Sequence, residues 1–269
     1  MTPRFRSLSG TSGWRWLLRG VIVVLAAGIV YVAVSYARLP STKELAALEN
    51  VEPAASALMR SRIAQGAKGG GPLVVEHRYV PLSRISHYLQ KAVVLAEDQK
   101  FWMHDGVDWG ETRAAVQQAF DEGKLGRGGS TLTQQLAKNL YLSERRSLIR
   151  KAFEWKLAER LDAVVSKKRI LELYLNFAEW GDGVFGAEAA ARYHFHKPAS
   201  QLDAAEAAVL TAMLPSPLTR DPARPTPNLR RRARMVAGLM ARVGLVDHDA
   251  VNGRLSTLIG ERARRSAEK

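Results

Sequence analysis

The chain has 269 residues, enough for one well-buried domain with appendages and too few for two large enzymes in tandem. Hydrophobic residues make up 46% of it, which excludes disorder throughout; 40 Lys and Arg against 26 Asp and Glu leave a formal charge of +14, which favours nucleic acid, anionic lipid headgroups or phosphorylated substrates as partners. There is no cysteine, so a disulfide framework and a thiolate metal site are both excluded.

From Gly20 to Ala37 no residue is charged, and 18 helical residues rise about 27 Å, close to the thickness of a hydrocarbon core. With Trp16, Leu17 and Leu18 added, residues 17–37 are expected to span a membrane. A cleaved signal peptide is the alternative, but the run exceeds an h-region of about 7–15 residues, and Ser35-Tyr36-Ala37 lacks a clear small-x-small cleavage site. Arg4, Arg6, Arg15 and Arg19 precede the run. Residues 1–16 are therefore expected in the cytoplasm and everything after Arg38 outside it, where nucleic acid is not an expected partner. Residues 38–72 carry Pro40, Pro53 and the breaker Gly69-Gly70-Gly71-Pro72 and read as a stalk. A folded domain is expected over 73–243, and a C-terminal helix with a charged tail over 244–269.

Leu73 to Val80 suits one short strand. Ile85, Tyr88, Leu89, Ala92, Val93 and Ala96 then recur at helical spacing, so Glu97 falls at a helix C-terminus. The negative end of the helix dipole disfavours a charged carboxylate there and suits a general base. Glu97 and Asp98 either turn the chain towards water or, with Phe101, Trp102 and His104, form a cleft wall; His104 taken alone reads as structural. A glycine-rich approach, Gly126 to Gly129, leads to Ser130 and Thr131, candidate N-cap hydroxyls for a helix carrying Leu132, Leu136 and Leu140. Such an approach suits an anion, although no Walker lysine follows the glycines. Capping explains the hydroxyls equally well, while Gln134 and Gln135 add amides in the first turns.

The next helix sets Ile149, Phe153, Leu157, Leu161 and Val164 on its apolar stripe. Arg150 and Glu154, one turn apart, are either a solvated ion pair or part of a site. Lys167 to Asn176 is amphipathic, and Glu179 to Gly183 is a glycine-broken loop. Ala187–Tyr193 and Ala204–Leu214 are alanine-rich helices. Pro215 to Pro227 is an extended crossing, and Leu229–Val243 is a helix bearing Arg230, Arg231, Arg232 and Arg234. Acids and bases beside anion ligands are what displacing a phosphate leaving group from a sugar requires.

Four ordered motifs carry a resemblance over roughly Leu73 to Val243. They are Glu97-Asp98-x-x-Phe101-x-x-His104-x-Gly106; Gly128-x-Ser130-Thr131-x-x-Gln134-Gln135; Arg150-Lys151-x-x-Glu154; and Lys167-x-x-Ile170-Leu171-Glu172-x-Tyr174-Leu175-Asn176. In these the chain resembles the peptidoglycan glycosyltransferases, glycosyltransferase family 51. A fifth motif, an Arg-Arg pair before Val-Leu, is partial, since Arg232 is followed by Ala233 and the aliphatic pair is Val236-Ala237. His196 stands where a glycine is usual. Glu179 to Gly186 looks like the monofunctional biosynthetic branch of Gram-negative bacteria, and no Ser-x-x-Lys followed by Lys-Thr-Gly marks a transpeptidase.

The resemblance implies a mainly α, lysozyme-like, two-lobed glycosyltransferase domain behind one N-terminal transmembrane helix, anchored in the inner membrane and working on the periplasmic side. It implies elongation of glycan chains from lipid II, with undecaprenyl diphosphate leaving and a β-1,4 link formed by inversion. Glu97 would be the base, with Glu154 assisting near the diphosphate. Asp98, His104, Gly128, Ser130, Thr131, Gln134, Gln135, Lys138, Arg146, Arg150, Lys151 and Asn176 would bind substrate. The sequence shows no dedicated metal ligand set, although magnesium or another divalent cation could share the diphosphate's charge. Membrane lipids and other cell-wall synthesis or division proteins are the further partners implied. A lytic, lysozyme-type hydrolase and a basic membrane scaffold are the rivals; fragments released from polymeric peptidoglycan would favour the first, and vesicle binding without turnover the second.

Overall fold

The structure is a computed structural model that describes residues 11–68, 74–122, 129–143 and 147–260. The chain divides into two compact units, Met1–Leu39 and Pro40–Lys269.

The first unit is the helix α1 (Thr11–Ala37), whose apolar residues, such as Val24 and Ile29, are exposed. Its apolar stretch has a mean hydropathy of 2.5, and it is long and apolar enough to cross a membrane.

The second unit begins earlier than the sequence suggested. The expected stalk over 38–72 is corrected over 40–68, and 69–72 lie outside the described residues. Helix α2 (Thr42–Ala47) opens on a capping box between Ser41 and Glu44, and α3 (Ala57–Lys68) follows. Leu45, Leu48 and Met59 are buried, the Glu49 carboxylate accepts from the Ser166 backbone N–H and hydroxyl, and Arg169 donates to the Leu48 carbonyl. Three apolar anchors and these polar clasps hold the segment to the domain, which the breakers at Pro40 and Pro53 concealed.

The strand β1 (Glu76–His77) and a 3₁₀ turn at Leu82–Arg84 lead into α4 (His87–Glu97). Then come α5 (Trp109–Glu122), α6 (Leu132–Tyr141), α7 (Leu148–Asp162) and α8 (Lys167–Phe177). The expected loop at 179–183 is instead a short hairpin of β2 (Glu179–Gly181) and β3 (Val184–Phe185), turned at Gly183, with Trp180 fully buried. The sheet order is β1-β3-β2, with β1 parallel to β3 in the register Glu76 to Val184. α9 (Ala187–Phe195), α10 (Ala204–Met213), α11 (Pro227–Arg242) and α12 (His248–Ile259) complete the unit. α9 ends on His196 in the left-handed conformation (φ 55°), where a glycine would be unstrained.

Two packings position the site. α4, α10, α11 and α12 form one cluster, in which the alanines of α10 permit close approach. α6 packs on α7, α8 and α3 in the other. In α7 the buried stripe is Glu154, Leu157, Ala158 and Leu161. Ile149, expected on that stripe, is exposed instead, and the first buried residue of the helix is a carboxylate, Glu154.

Candidate active site

Glu97 is the last residue of α4. Leu89, Ala92 and Val93 are fully buried on that helix, which packs on α10 and α11, so the glutamate's position follows from the apolar face behind it. Its side chain is 11% exposed. The Arg232 guanidinium donates to Oε1 at 2.6 Å, and the Gln135 amide donates to Oε2 at 3.2 Å. Burial pushes the Glu97 carboxyl above the usual range, and the charges of Arg232 and Arg220 with the two hydrogen bonds hold it back in part. The direction agrees with the helix-end expectation; the leading cause is desolvation. Gln135 is aimed in turn by the buried Tyr174, whose hydroxyl donates to its Oε1 at 3.0 Å.

Asp98 caps this helix end and ties it to the start of α6. Its carboxylate accepts from the Leu132 backbone N–H at 2.8 Å and from His104 Nε2 at 3.0 Å. Thr131, the N-cap of α6, donates its hydroxyl to the Gly106 carbonyl at 2.6 Å, and its backbone N–H donates to Gln134 Oε1 at 2.8 Å in a capping box. Asn176 exchanges two hydrogen bonds with the Val80 backbone and donates a third to Glu172.

These contacts draw five of the expected substrate ligands into the fold, although Asp98 and Thr131 also line a cavity. Asp98, His104, Thr131, Gln134 and Asn176 have at most 8% of their side chains or residues exposed, and each bonds other parts of the chain, while His104 Nδ1 and Gln134 Nε2 are buried without a hydrogen-bond partner. Phe101 and His104 likewise belong to the core and not to a cleft wall, while Trp102 is half exposed.

Glu154 is 3% exposed, so its pair with Arg150 is not a solvated one. Arg150 donates to one oxygen at 2.7 Å and Lys151 to the other; Lys151 also donates to the Ser130 hydroxyl at 2.8 Å. Ser130 is therefore not a cap but a link between the glycine approach and α7. Gly128 and Arg146 lie outside the described residues.

Two cavities flank α6. One, of about 320 Å³, is lined by Glu97, Asp98, Lys100, Gly129 and Ser130. The other, of about 310 Å³, is lined by Arg62, Gln135, Lys138, Arg150, Tyr174 and Glu179. Gln135 lines the second and bonds the glutamate of the first. Ser130 lines the first and bonds Lys151, which shares Glu154 with Arg150 of the second. A buried carboxylate on one side is thus linked by hydrogen bonds to a cationic recess on the other.

Sequence reasoning missed Arg232, Tyr174 and Arg62 as site residues. The signal for Arg232 was its place beside the buried stripe Leu229, Ala233 and Val236 of α11. Arg62 donates to Glu179 at 2.9 Å from the segment taken for a stalk. Among the described residues no three His, Asp or Glu side chains gather as a metal site.

Residues 71–241 match the family model described as Transglycosylase. Proteins described as biosynthetic peptidoglycan transglycosylase are similar to this chain. The one from Rhodospirillum centenum is 45% identical, covering 83% of this chain and 89% of the relative. That from Laribacter hongkongensis is 40% identical (82% and 95%), and that from Mesorhizobium japonicum is 38% identical (91% and 97%). A match over more than half its length, with relatives covered almost end to end, establishes that the chain belongs to the transglycosylase family.

Proposed function

We propose that the chain polymerises peptidoglycan glycan strands from lipid II by inverting glycosyl transfer. The observation that carries this reading is the Glu97 carboxylate, desolvated at the wall of one cavity and joined through Gln135 to a second cavity lined by Lys138 and Arg150. A buried carboxylate with a raised pKa is a stronger base than one in water. Glu97 takes the proton of the incoming disaccharide's 4-hydroxyl, and that oxygen forms a bond to the anomeric carbon of the growing strand. The bond from that carbon to the diphosphate breaks, and its electron pair leaves with undecaprenyl diphosphate. Attack opposite the leaving group inverts the anomeric centre and gives a β-1,4 link. Lys138, Arg150 and Lys151 face the charge that develops on the diphosphate.

The described residues do not fit a resident divalent cation, since no set of acidic or imidazole ligands converges, so no step is routed through one. Magnesium would come with the diphosphate and lower its charge there. The helix α1 holds the enzyme to the inner membrane with its N-terminus in the cytoplasm, on the side of Arg15 and Arg19, and the domain in the periplasm. A lipid-tethered substrate and a tethered enzyme then meet in two dimensions. Membrane lipids surround the anchor, and other cell-wall synthesis or division proteins are its further partners. The chain performs no transpeptidation.

The test is Glu97→Gln in the full-length protein, with labelled lipid II and a gel for polymer. General-base removal should lower turnover by about 10²–10⁴-fold with folding intact. Near-normal polymerisation by that variant would refute the assignment.

A further inference from the structure

The partial fifth motif places an arginine on the catalytic glutamate. Arg232 stands on α11, with its neighbours Leu229, Ala233 and Val236 buried and the helix packed on α4. Its guanidinium reaches Glu97 Oε1 at 2.6 Å, and its Nε is buried with no hydrogen-bond partner. We propose that Arg232 is a positioning residue for Glu97: from α11 it holds one carboxylate oxygen and keeps a fixed positive charge behind the base, so that the carboxylate stays aimed along the cavity wall.

This rests on the reading of Glu97 as the base and adds what sets its orientation and charge. The other groups around Glu97 cannot replace Arg232. Gln135 from α6 is neutral, Tyr174 from α8 keeps its proton, and Asp98 is tied to His104 and Leu132. In the cavity, Lys100 pairs with Asp108 and Glu111. α10 carries one charged side chain, Glu206, bound to Lys197. Arg220 adds positive charge and donates to the Ala212 carbonyl at 2.6 Å. Arg232 combines charge with a direct bond to the carboxylate.

The experiment compares Arg232→Met, Arg232→Lys and Glu97→Gln with the wild type, all full-length, in polymerisation of labelled lipid II between about pH 5 and 9, a range bracketing an upshifted carboxylate. With the cation gone, burial is opposed by the Arg220 charge and the Gln135 bond without the Arg232 contribution. The acid limb of the kcat/KM profile should move to higher pH by about one unit or more in R232M, with the loss in kcat and not in KM. R232K keeps the charge but not the forked geometry, so its limb should stay near the wild type's while kcat falls severalfold. An unmoved limb in R232M, or a loss confined to KM, would overturn the proposal. If R232M does not fold, R232K decides: undiminished kcat overturns it. Near-normal turnover in E97Q would instead sink the reading of Glu97 beneath it, whereas an inactive E97Q beside an unmoved R232M removes only the role of Arg232.

Discussion

Replacing Asp98 by Asn separates the two jobs this residue could have. The carboxylate is 4% exposed and receives the Leu132 backbone N–H at 2.8 Å and His104 Nε2 at 3.0 and 3.1 Å, so both oxygens are in use. Asn keeps the shape but offers one acceptor oxygen, leaving either the α6 N–H or the imidazole facing an NH₂. Loss of a charge-assisted bond at a buried site costs about 1.5–3 kcal/mol. For a unit the size of Pro40–Lys269, that is a fall in melting temperature of roughly 3–12 °C. Circular dichroism melts of full-length protein in detergent, beside polymer formation from lipid II, read both effects. Turnover should fall together with stability, because the start of α6 carries Gln135 against Glu97. A variant that melts with the wild type yet has lost turnover would refute this reasoning and return Asp98 to the substrate, where its motif suggested it belonged.

Gly106→Ala should destabilise the domain by at least about 2 kcal/mol, seen as a lower urea midpoint. At φ 84° a Cβ would lie 2.4 Å from the Ala158 carbonyl oxygen and 2.6 Å from its carbon, backbone atoms of α7 that no rotamer change can move; an unchanged midpoint would contradict that close approach. The raised carboxyl of Glu97 makes a pH-dependent contribution whose sign is fixed. Between the ordinary glutamate value near 4.3 and the higher folded value, the folded chain holds the extra proton, so stability from this group is full at low pH and declines as pH rises through the window. Glu97→Gln lacks the titration, and its stability relative to wild type should therefore improve steadily from about pH 4 upward, measured by urea unfolding. A difference flat across that range would count against the burial of the charged form.

The helices were legible because their signals are local. Leu132, Leu136 and Leu140 recur at helical spacing behind a Thr131 cap, and α6 begins where that predicts. Position within the site was not legible, because it depends on which partner wins each polar group. Gln134 and Gln135 are adjacent amides in one motif, yet Gln134 folds back onto its own cap and is fully buried, while Gln135 turns outward to Glu97. A helix advances 100° per residue, and which of the two neighbours faces the cavity is decided by the tertiary contacts around α6, Tyr174 of α8 holding Gln135 there. The same holds for residues 40–68. Leu45 and Arg62 have clear partners in three dimensions, Arg62's being Glu179, more than a hundred positions away, and proline punctuation alone gave no hint of them.

Two glutamates of identical chemistry end with different work, and burial alone does not explain the division, since both are largely withdrawn from water. What differs is the count of cations and the space in front. Glu154 has each oxygen taken by a separate cation, Arg150 and Lys151, and lines neither cavity beside α6. A carboxylate so held has its charge balanced by two cations and meets no open space; its effect is to gather two positive charges and, through Lys151, fix Ser130. Glu97 has one cation and one neutral amide, and it borders open space. The neutral amide is the weaker tie, at 3.2 Å against 2.6 Å, so the oxygen it holds is the one a hydroxyl can claim. On the proposed reading, proton acceptance falls to Glu97 Oε2, and Glu154 acts on the leaving group through the bases it assembles.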